Sequence, residues 1–409
     1  MVPNKRVKIA AALGVAAAVL GWWVVSREAP EEGAPVQAAA AVPQSGHMPF
    51  FAAAAVQSAP GAAGTERAVR IAQLKEQLAL TDHTYCSYKN NTRYPHSSRP
   101  IAEQPDQVYP NKQVTDTHPM RLDGGGVDRA IQIQTSQSRV FMASGETVEF
   151  SLRAVDSNGA PQPLVVTRAL AKGIVFNGRS TPTVVVPFAD DGTGADAVAG
   201  DGAFSGALAP AQSALATFNG TVRTIVSYSV NGRAGSVIFD IIYSPELPAV
   251  WAGPPREVNE NGSLVYVLKA NVRMAGRYIV TGRVDDAHGQ PFALATFNDL
   301  LTTGPQEIRL LVFGKLLHDQ KPAMPLTLRD VDGYLLKENV DPDRALMPRL
   351  QGKVLTGSSR SPSAYSDAEW QGEERTRYIT EFGKDLQLAR SELAKLDAGA
   401  VENFQTECR

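Results

Sequence analysis

The sequence predicts an all-β protein whose body consists of two tandem antiparallel β-sandwiches with helical flanks. Turn-forming residues are frequent, with 34 glycines and 27 prolines among 409 residues. Short runs rich in Val, Ile, Thr and aromatic residues alternate apolar with polar side chains, which is typical of half-buried strands. Because no long helical pattern separates these runs, antiparallel sheets are favoured over an α/β arrangement.

The first sandwich is predicted over residues 127–247. Val148, Phe150 and Leu152 point to one face of a strand, while the residues between them are polar. Later in this segment two alternating runs flank the pair Asn231-Gly232. Asn-Gly between such runs is the strongest short-range hairpin signal, because a type I′ turn needs positive φ at both central residues.

The second sandwich is predicted over residues 248–357. Several short strands follow one another at a spacing of about ten residues, as in immunoglobulin-like and fibronectin-III-like domains. We expect His288-Gly289 and Asp332-Gly333 to turn two hairpins, because Gly readily takes the positive φ that tight turns require.

Residues 1–26 are predicted to be a cytoplasmic stub followed by a transmembrane signal-anchor helix. Ile9–Val25 is an unbroken apolar run that follows a basic N-terminal stretch. At about 1.5 Å per residue such a helix just crosses a hydrocarbon core of roughly 30 Å, and the basic side chains hold their end in the cytoplasm. We expect a single-pass protein of the bacterial inner membrane with its body in the periplasm; cleavage of this segment would instead give a secreted or surface protein. The anchor residues are Ile9, Leu13, Val19, Leu20, Trp22 and Trp23.

The segment between the anchor and the first sandwich divides into two parts. Residues 27–64 are rich in Ala, Pro and Gly without apolar periodicity, which predicts a disordered linker. Residues 65–126 are predicted to hold a short helix over Thr65–Thr81 and then a polar, proline-rich stretch. This stretch is too long for an ordinary connection, so we expect it to wrap around the folded body.

Residues 358–409 are predicted to form a C-terminal amphipathic helix and a tail. Apolar residues follow one another at alternating spacings of three and four, which places them on one stripe of a helix. Two interpretations stay open: the stripe packs on the protein's own body or its first helix, or it docks a partner or a second copy. The stripe includes Ile379, Phe382, Leu386, Leu393 and Leu396.

Cys86 and Cys408 are the two cysteines of the chain. Both are expected on the exported side, where oxidising conditions permit a disulfide. Each follows a predicted helix, so a bond between them would suit helices that pack together. Two free or intermolecular thiols are the alternative.

The most distinctive local motif is a loop rich in aspartate and glycine. Asp190, Asp191, Asp196 and Asp201 are separated by glycines and small residues, and carboxylate oxygens so spaced could bind a hard cation such as calcium. The spacing is not that of an EF-hand, and Asp and Gly also fill turns without any metal. Calcium is the one cofactor that the sequence suggests, and turn chemistry is the alternative.

This loop, DDGTGADAVAGDGAFSG, resembles the corresponding loop of the choice-of-anchor X domain family of bacterial surface proteins. A similar Asp-Gly stretch occurs in the β-sandwich part of calcium-activated chloride channel regulators. The segments SRPIAEQPDQVYPN and GRYIVTGRVDDAHGQPFALATF are also similar in style to that family, so the resemblance extends over residues 70–370. It implies an exported, β-rich protein attached to the cell envelope, but it implies no defined activity.

The composition and the motifs argue against several classes of function. With 40 basic and 42 acidic residues, there is no electrostatic case for nucleic-acid binding. The sequence contains neither a G-x-S-x-G motif nor an H-E-x-x-H motif. We therefore predict a non-enzymatic, membrane-anchored periplasmic structural or interaction protein that docks an envelope protein or a second copy. The alternative is an adhesin-like module that binds a ligand, a glycan or calcium.

Overall fold

The structure is a computed structural model that describes residues 62–408 except 176, 177 and 179. The predicted anchor, from Ile9 to Trp23, and almost all of the predicted linker lie outside the described residues. Within the described part of the chain, no helix is both long and apolar enough to cross a membrane. Four β-sheets pack in two pairs around two hydrophobic cores, so the predicted all-β class is confirmed.

The described part begins with helix α1 (Ala62–Asn91), strand β1 (Ser98–Pro100) and two short 3-10 turns. The helix is longer than the predicted Thr65–Thr81 and includes the last residues of the predicted linker. Its second half contains Tyr, Asn and Thr residues with modest intrinsic helix propensity. Contacts with the C-terminal helix stabilise this half, and a local pattern could not show them.

Among the described residues, the first sandwich has eleven strands, most of them antiparallel. One sheet has the order β2-β3-β5-β10-β9 with β6 beside β5, and the other has the order β4-β12-β11-β7-β8. The inward residues of both sheets form one core, as alternation predicts. The strands are β2 (Val114–Arg121), β3 (Val127–Gln137), β4 (Phe141–Ala143), β5 (Val148–Asp156), β6 (Pro161–Gln162), β7 (Leu164–Gly173), β8 (Val184–Val185), β9 (Phe188–Ala189), β10 (Phe204–Leu208), β11 (Gly220–Val230) and β12 (Arg233–Ser244).

The Asn-Gly hairpin is confirmed, whereas the purely antiparallel pairing is wrong at one edge. Val230 pairs with Arg233, and Asn231 and Gly232 between them have φ of 51° and 76°, as a type I′ turn requires. Strand β4 instead runs parallel to β12. The chain reaches β4 directly from β3 of the opposite sheet, so it arrives at this edge without a hairpin.

The second sandwich also consists of two sheets. One has the order β1-β17-β16-β19-β20, and β21 also pairs with β19. The other has the order β13-β15-β14, and β18 also pairs with β15. Strand β1 comes from before the first sandwich and pairs with β17, Ser98 opposite Ala295. The first sandwich is therefore inserted between two parts of the second. The further elements are β13 (Ala249–Trp251), β14 (Arg256–Glu260), β15 (Ser263–Val272), β16 (Gly276–Asp285), β17 (Pro291–Leu301), β18 (Gly304–Val312), α2 (Gly314–Gln320), β19 (Thr327–Leu336), β20 (Arg344–Leu346) and β21 (Leu350–Thr356).

Of the two turns predicted in this sandwich, one is confirmed and one is wrong. Gly289 has φ of 74° in the turn between β16 and β17. Asp332-Gly333 instead lies inside β19, which continues through it and is bulged at Asp330. Gly333 is needed for packing rather than turning, because an added Cβ would lie 2.7 Å from the side chain of Val280.

The C-terminal helices are α3 (Glu373–Leu396) and α4 (Ala398–Glu402). Leu386 and Leu393 of α3 are buried against Leu74 and Leu78 of α1 in a third, small core. Of the two interpretations of the apolar stripe, the contacts therefore support packing on the first helix. This face of α3 is occupied by α1 and is not free for a partner.

The ends of the stripe extend this contact. Phe382 lies 5.3 Å from Tyr88 of α1 between ring centroids, and Leu396 is partly buried beside the small core. Ile379 is half-exposed, one turn before Phe382.

The predicted disulfide is present. The sulfur atoms of Cys86 and Cys408 are 2.01 Å apart, and the bond joins α1 to the segment after α4. Asp82, which is fully buried, strengthens this contact, because its carboxylate accepts hydrogen bonds from the Thr406 hydroxyl and the Glu407 N–H, each at 2.8 Å. Helices α1, α3 and α4 and the C-terminal tail thus form one unit that is closed by the disulfide, and it is named here the helical clasp.

Candidate functional site

The aspartate-glycine loop brings three of its four predicted ligands together. Carboxylate oxygens of Asp190, Asp196 and Asp201 all lie within 4.8 Å of one another. Asp191 is not part of this group, because its side chain accepts hydrogen bonds from the N–H and the hydroxyl of Thr193. The geometry thus provides three oxygen donors on one loop of the first sandwich.

Backbone hydrogen bonds hold these carboxylates in place. Asp190 accepts from the N–H groups of Gly200, Asp201 and Gly202 at 2.7, 3.2 and 3.1 Å. Asp196 is buried and accepts from a loop N–H at 2.6 Å. Such bonds are the usual turn chemistry of Asp, so the loop geometry is accounted for without a cation. Calcium binding stays a prediction from the sequence.

A larger concave surface lies where the two sandwiches meet. This cavity of about 750 Å³, named here the junction cleft, lies between residues 104–112, strand β4 and the outer face of the sheet that contains β16. Ligand sites occur preferentially at such domain interfaces. Its lining includes Tyr109, Lys112, Phe141, Thr281, Arg283 and Arg344.

Residues 104–112, named here the strap, are held on the outer face of the sheet by a buried arginine. Arg283 alternates with core residues of β16 and so points away from the core, yet the strap covers it to 1% exposure. Its guanidinium donates to the main-chain oxygen of Gln107 at 3.0 Å and to that residue's side-chain oxygen at 2.8 Å. It also donates to the Asp330 main-chain oxygen at 2.8 Å and to the Asp332 carboxylate. The charge is therefore paired and its donors are satisfied.

A second arginine holds the next residue of the strap. Arg329 donates to the main-chain oxygen of Val108 at 2.9 Å and to the carboxylates of Asp285 and Asp330. Burial disfavours its charged form, but the hydrogen bonds to the two carboxylates outweigh this effect, so its pKa is raised. The guanidinium lies 5.7 Å from the centroid of the Tyr109 ring.

The wall of the cleft that joins the two sandwiches is built on Arg344 and Arg349. The guanidinium of Arg344 lies 4.9 Å from the ring centroid of Phe141 in the first sandwich and 4.8 Å from that of Tyr334 in the second. Its hydrogen bond to Asp343 raises the pKa of Arg344 and lowers that of Asp343. Arg349 donates to the Phe141 main-chain oxygen at 2.7 Å. Both arginines therefore tie β4 to the second sandwich.

These contacts define what the cleft can do. Three of its arginines are engaged in structural contacts, while Tyr109 is 65% exposed and Lys112 is also exposed. The amides of Gln104 and Asn111 and the hydroxyl of Thr281 line the same surface. An exposed aromatic ring beside amide and hydroxyl groups suits recognition of a polar chain by stacking and hydrogen bonding.

Sequence reasoning missed the arginines that organise this cleft. Arg283 follows the mainly apolar run YIVTG of β16, and a charged residue at that position was an available signal. Its partners Gln107 and Asp330 are far from it in sequence, so no local pattern could identify the contact.

Comparisons with known proteins leave the family open. No family model and no curated protein matches the chain. Among solved structures, a DUF4785 family protein from Legionella pneumophila has a TM-score of 0.37 at 13% identity, over 55% of this chain and 57% of that one. The adhesin InvE of Yersinia pseudotuberculosis has a TM-score of 0.17 at 12% identity, over 54% and 57%. The BSP domain of a biofilm associated protein has a TM-score of 0.14 at 15% identity, over 54% and 28%.

The chain thus spans less than two thirds of the length of each of these structures, and at these scores none of them carries an argument about function. The resemblance to the choice-of-anchor X family stays a prediction.

Proposed function

We propose that this chain is a non-catalytic interaction module that binds a polar segment of an envelope partner in its junction cleft. The observation that carries the proposal is the composition of this cleft. It has a volume of about 750 Å³, it lies between two sandwiches, and it combines the exposed ring of Tyr109 with the amide of Gln104 and the hydroxyl of Thr281. Its arginines are engaged in fixing the walls, which favours a preformed binding surface over a reactive centre.

The site of action that we propose follows from the sequence. An N-terminal signal anchor would hold the body at the periplasmic face of the inner membrane, and the linker would let it reach a partner in the envelope. The disulfide of the helical clasp supports an oxidising compartment, since such bonds are rare in the cytosol.

The test is capture of partners from native membranes by the tagged full-length protein, with quantitative mass spectrometry. The cleft variant is the double substitution Tyr109→Ala and Lys112→Glu, which changes two exposed side chains of the strap. We expect a stoichiometric partner with the wild-type protein and a loss of at least about tenfold with the cleft variant, because a central aromatic contact commonly dominates binding.

The matched control is Lys172→Glu, which reverses an exposed charge on the outer face of the first sandwich. It should capture the partner as the wild type does, and all three proteins should have the same melting temperature. Recovery of the bait alone, or equal capture by the cleft variant, would contradict the proposal.

A further inference from the structure

A second groove lies on the side of the second sandwich, outside the junction cleft. It has a volume of about 380 Å³ and lies between residues 251–255 of one sheet and residues 349–354 of the other. We name it the side groove. It goes beyond the function proposed above, because none of the strap residues lines it.

The side groove exists because the edge of one sheet is interrupted. Strands β13 and β14 both pair with β15, but the segment that connects β13 to β14 does not pair with it throughout. The N–H of Ala252 donates to Lys269 at 2.8 Å, and then Gly253, with φ of 74°, and two prolines carry the chain outward. Proline has no N–H to pair, so the edge cannot close at this point.

The floor of the groove is apolar. Leu268 of β15 is 2% exposed and belongs to the core, and Trp251, Leu350 and Val354 are half-buried against the same core. The indole N–H of Trp251 donates to the main-chain oxygen of Pro348 at 2.7 Å. This bond fixes the aromatic ring between the two sheets, so the apolar surface is preformed.

The rim of the groove is basic. The lining contains Lys269, Lys353 and Arg349 and no carboxylate. Arg349 is engaged with the first sandwich. Lys269 is the strand-pairing partner of Glu307, whose carboxylate accepts a hydrogen bond from Arg256. The amino group of Lys353 is exposed and makes no hydrogen bond or ion pair within the described residues. A ligand that fits this rim carries negative charge.

The backbone of β21 adds a further recognition element. Within the described residues β21 pairs with β19 on one side, and its other edge has no strand partner. An extended peptide can add to such an edge through main-chain hydrogen bonds, while a neighbouring pocket selects its side chains. The groove is also open, since Gly253, Gln351 and Lys353 are exposed. An open groove beside a free edge suits a peptide better than an acyl chain, which gains most from full enclosure.

We propose that the side groove binds an extended acidic peptide segment in which glutamate or aspartate alternates with apolar residues. The apolar side chains pack on Trp251, Leu350 and Val354. The carboxylates pair with Lys353 and Lys269, and the peptide backbone pairs with the free edge of β21.

Fluorescence anisotropy with the detergent-solubilised full-length protein tests this inference, with empty micelles as the blank. The probes are a fluorescein-labelled peptide of alternating Glu and Leu and a counterpart of alternating Lys and Leu. We expect the acidic peptide to bind, the basic peptide not to bind, and the double variant Lys269→Glu and Lys353→Glu to weaken binding by about tenfold or more. Added salt should weaken binding to the wild type, because the rim is exposed.

The control Lys172→Glu should bind the acidic peptide as the wild type does, and the cleft variant should do so too. The latter result separates this inference from the proposed function, since either can fail without the other. Equal binding of both peptides, no binding of either, or no effect of the charge reversals would overturn the inference. Displacement of the peptide by laurate without any effect of the charge reversals would also overturn it, in favour of an acyl-chain site.

Discussion

The two sandwiches of this protein are built from similar strands but are assembled in different ways. The first is formed by one continuous stretch, from Val114 to Ser244. The second takes β1 and the strap from before that stretch and its other strands from after it. The first sandwich depends on local alternation and tight turns, whereas the second also depends on contacts between distant segments. The difference teaches that a sandwich formed by one continuous stretch can be predicted from its sequence, whereas an interrupted sandwich can be predicted only in part.

This comparison predicts that the strap contact supports the second sandwich alone. Arg283→Met removes a buried guanidinium and leaves Asp332 and two main-chain oxygens without their donor. We expect the free energy of unfolding of the second sandwich to fall by about 2–4 kcal/mol, because the main-chain oxygens of Gln107 and Asp330 lose a buried donor. Asp332 adds less to this cost, because 35% of its side chain is exposed. The measurement is urea unfolding monitored by hydrogen exchange with peptide-level resolution, which reports the stability of each sandwich separately.

The matched control is Arg153→Met, which removes an exposed arginine that donates to Gln134 on the first sandwich. It should cost less than about 1 kcal/mol. If both sandwiches of the Arg283 variant lost protection from hydrogen exchange equally, they would unfold as one unit, and the prediction would be contradicted.

The next prediction uses a pair of equivalent glycines. Gly232 turns the hairpin of the first sandwich, and Gly262, with φ of 69°, follows Asn261 in the corresponding turn between β14 and β15. Replacement by Ala at positive φ costs about 1–2 kcal/mol at each site. At Gly262 a Cβ would also lie 2.6 Å from the Ser366 side chain and 2.9 Å from its backbone, whereas at Gly232 it would meet nothing within 4 Å.

We therefore expect Gly262→Ala to lower the free energy of unfolding by about 1–3 kcal/mol more than Gly232→Ala, because the overlap must be relieved by backbone movement. Chemical denaturation of both variants measures the difference. Equal costs would mean that the segment around Ser366 moves aside easily.

A smaller effect is expected at the aspartate-glycine loop of the first sandwich. Asp190→Asn weakens the acceptor of three backbone N–H groups and should cost about 1–2 kcal/mol. If the loop holds calcium, millimolar calcium should raise the melting temperature of the wild type but not that of this variant.

Differential scanning calorimetry with calcium or with a chelator makes the measurement. We expect the calcium-dependent shift in the transition of the first sandwich and none in the second. An unchanged wild-type melting temperature would contradict calcium binding and would leave turn chemistry as the full explanation of the loop.

A further difference between the two sandwiches is expected in their stability at alkaline pH. Burial raises the pKa of Tyr278 and Tyr94 in the second sandwich to about 12, and hydrogen bonding to Asp319 further raises that of Tyr94. Burial likewise raises the pKa of Tyr228 in the first sandwich to about 12. Above pH 10 the unfolded state releases these protons first, so the stabilisation is complete below pH 10 and is lost as the pH rises towards 12.

Burial also raises the pKa of Tyr266, Tyr334 and Tyr365 in the second sandwich. Because it holds more of these tyrosines, the second sandwich should lose stability more steeply between pH 10 and pH 12. Urea unfolding at increasing pH tests this, with Tyr278→Phe as the variant that should flatten the slope of the second sandwich. Parallel slopes for both sandwiches in the wild type would contradict the prediction.

Particular residues show why part of this structure could be predicted from sequence and part could not. Asn231-Gly232 was predictable because a type I′ turn depends on two residues and their flanking strands. The turn at Asp332-Gly333 was predicted wrongly, because Gly333 makes room for Val280 across the sheet and the dipeptide alone does not show this. The disulfide could be suggested because two cysteines each followed a helix, while Arg283 escaped notice because its partners lie in the strap and a distant strand.

The candidate sites follow the same division. Three of the four loop aspartates lie close together, because they are near one another in sequence and glycines let the chain fold back on itself. The junction cleft and the side groove combine residues from widely separated segments, so they appear only once the strands are paired.

The helical clasp has a consequence for how the protein responds to proteolysis. Its disulfide spans 322 positions of the chain, and both sandwiches lie within the ring that it closes. A protease that nicks any loop of either sandwich opens this ring once but releases no fragment. The nicked molecule keeps its full mass until a reductant separates the two pieces, so a single cut within the ring releases neither sandwich.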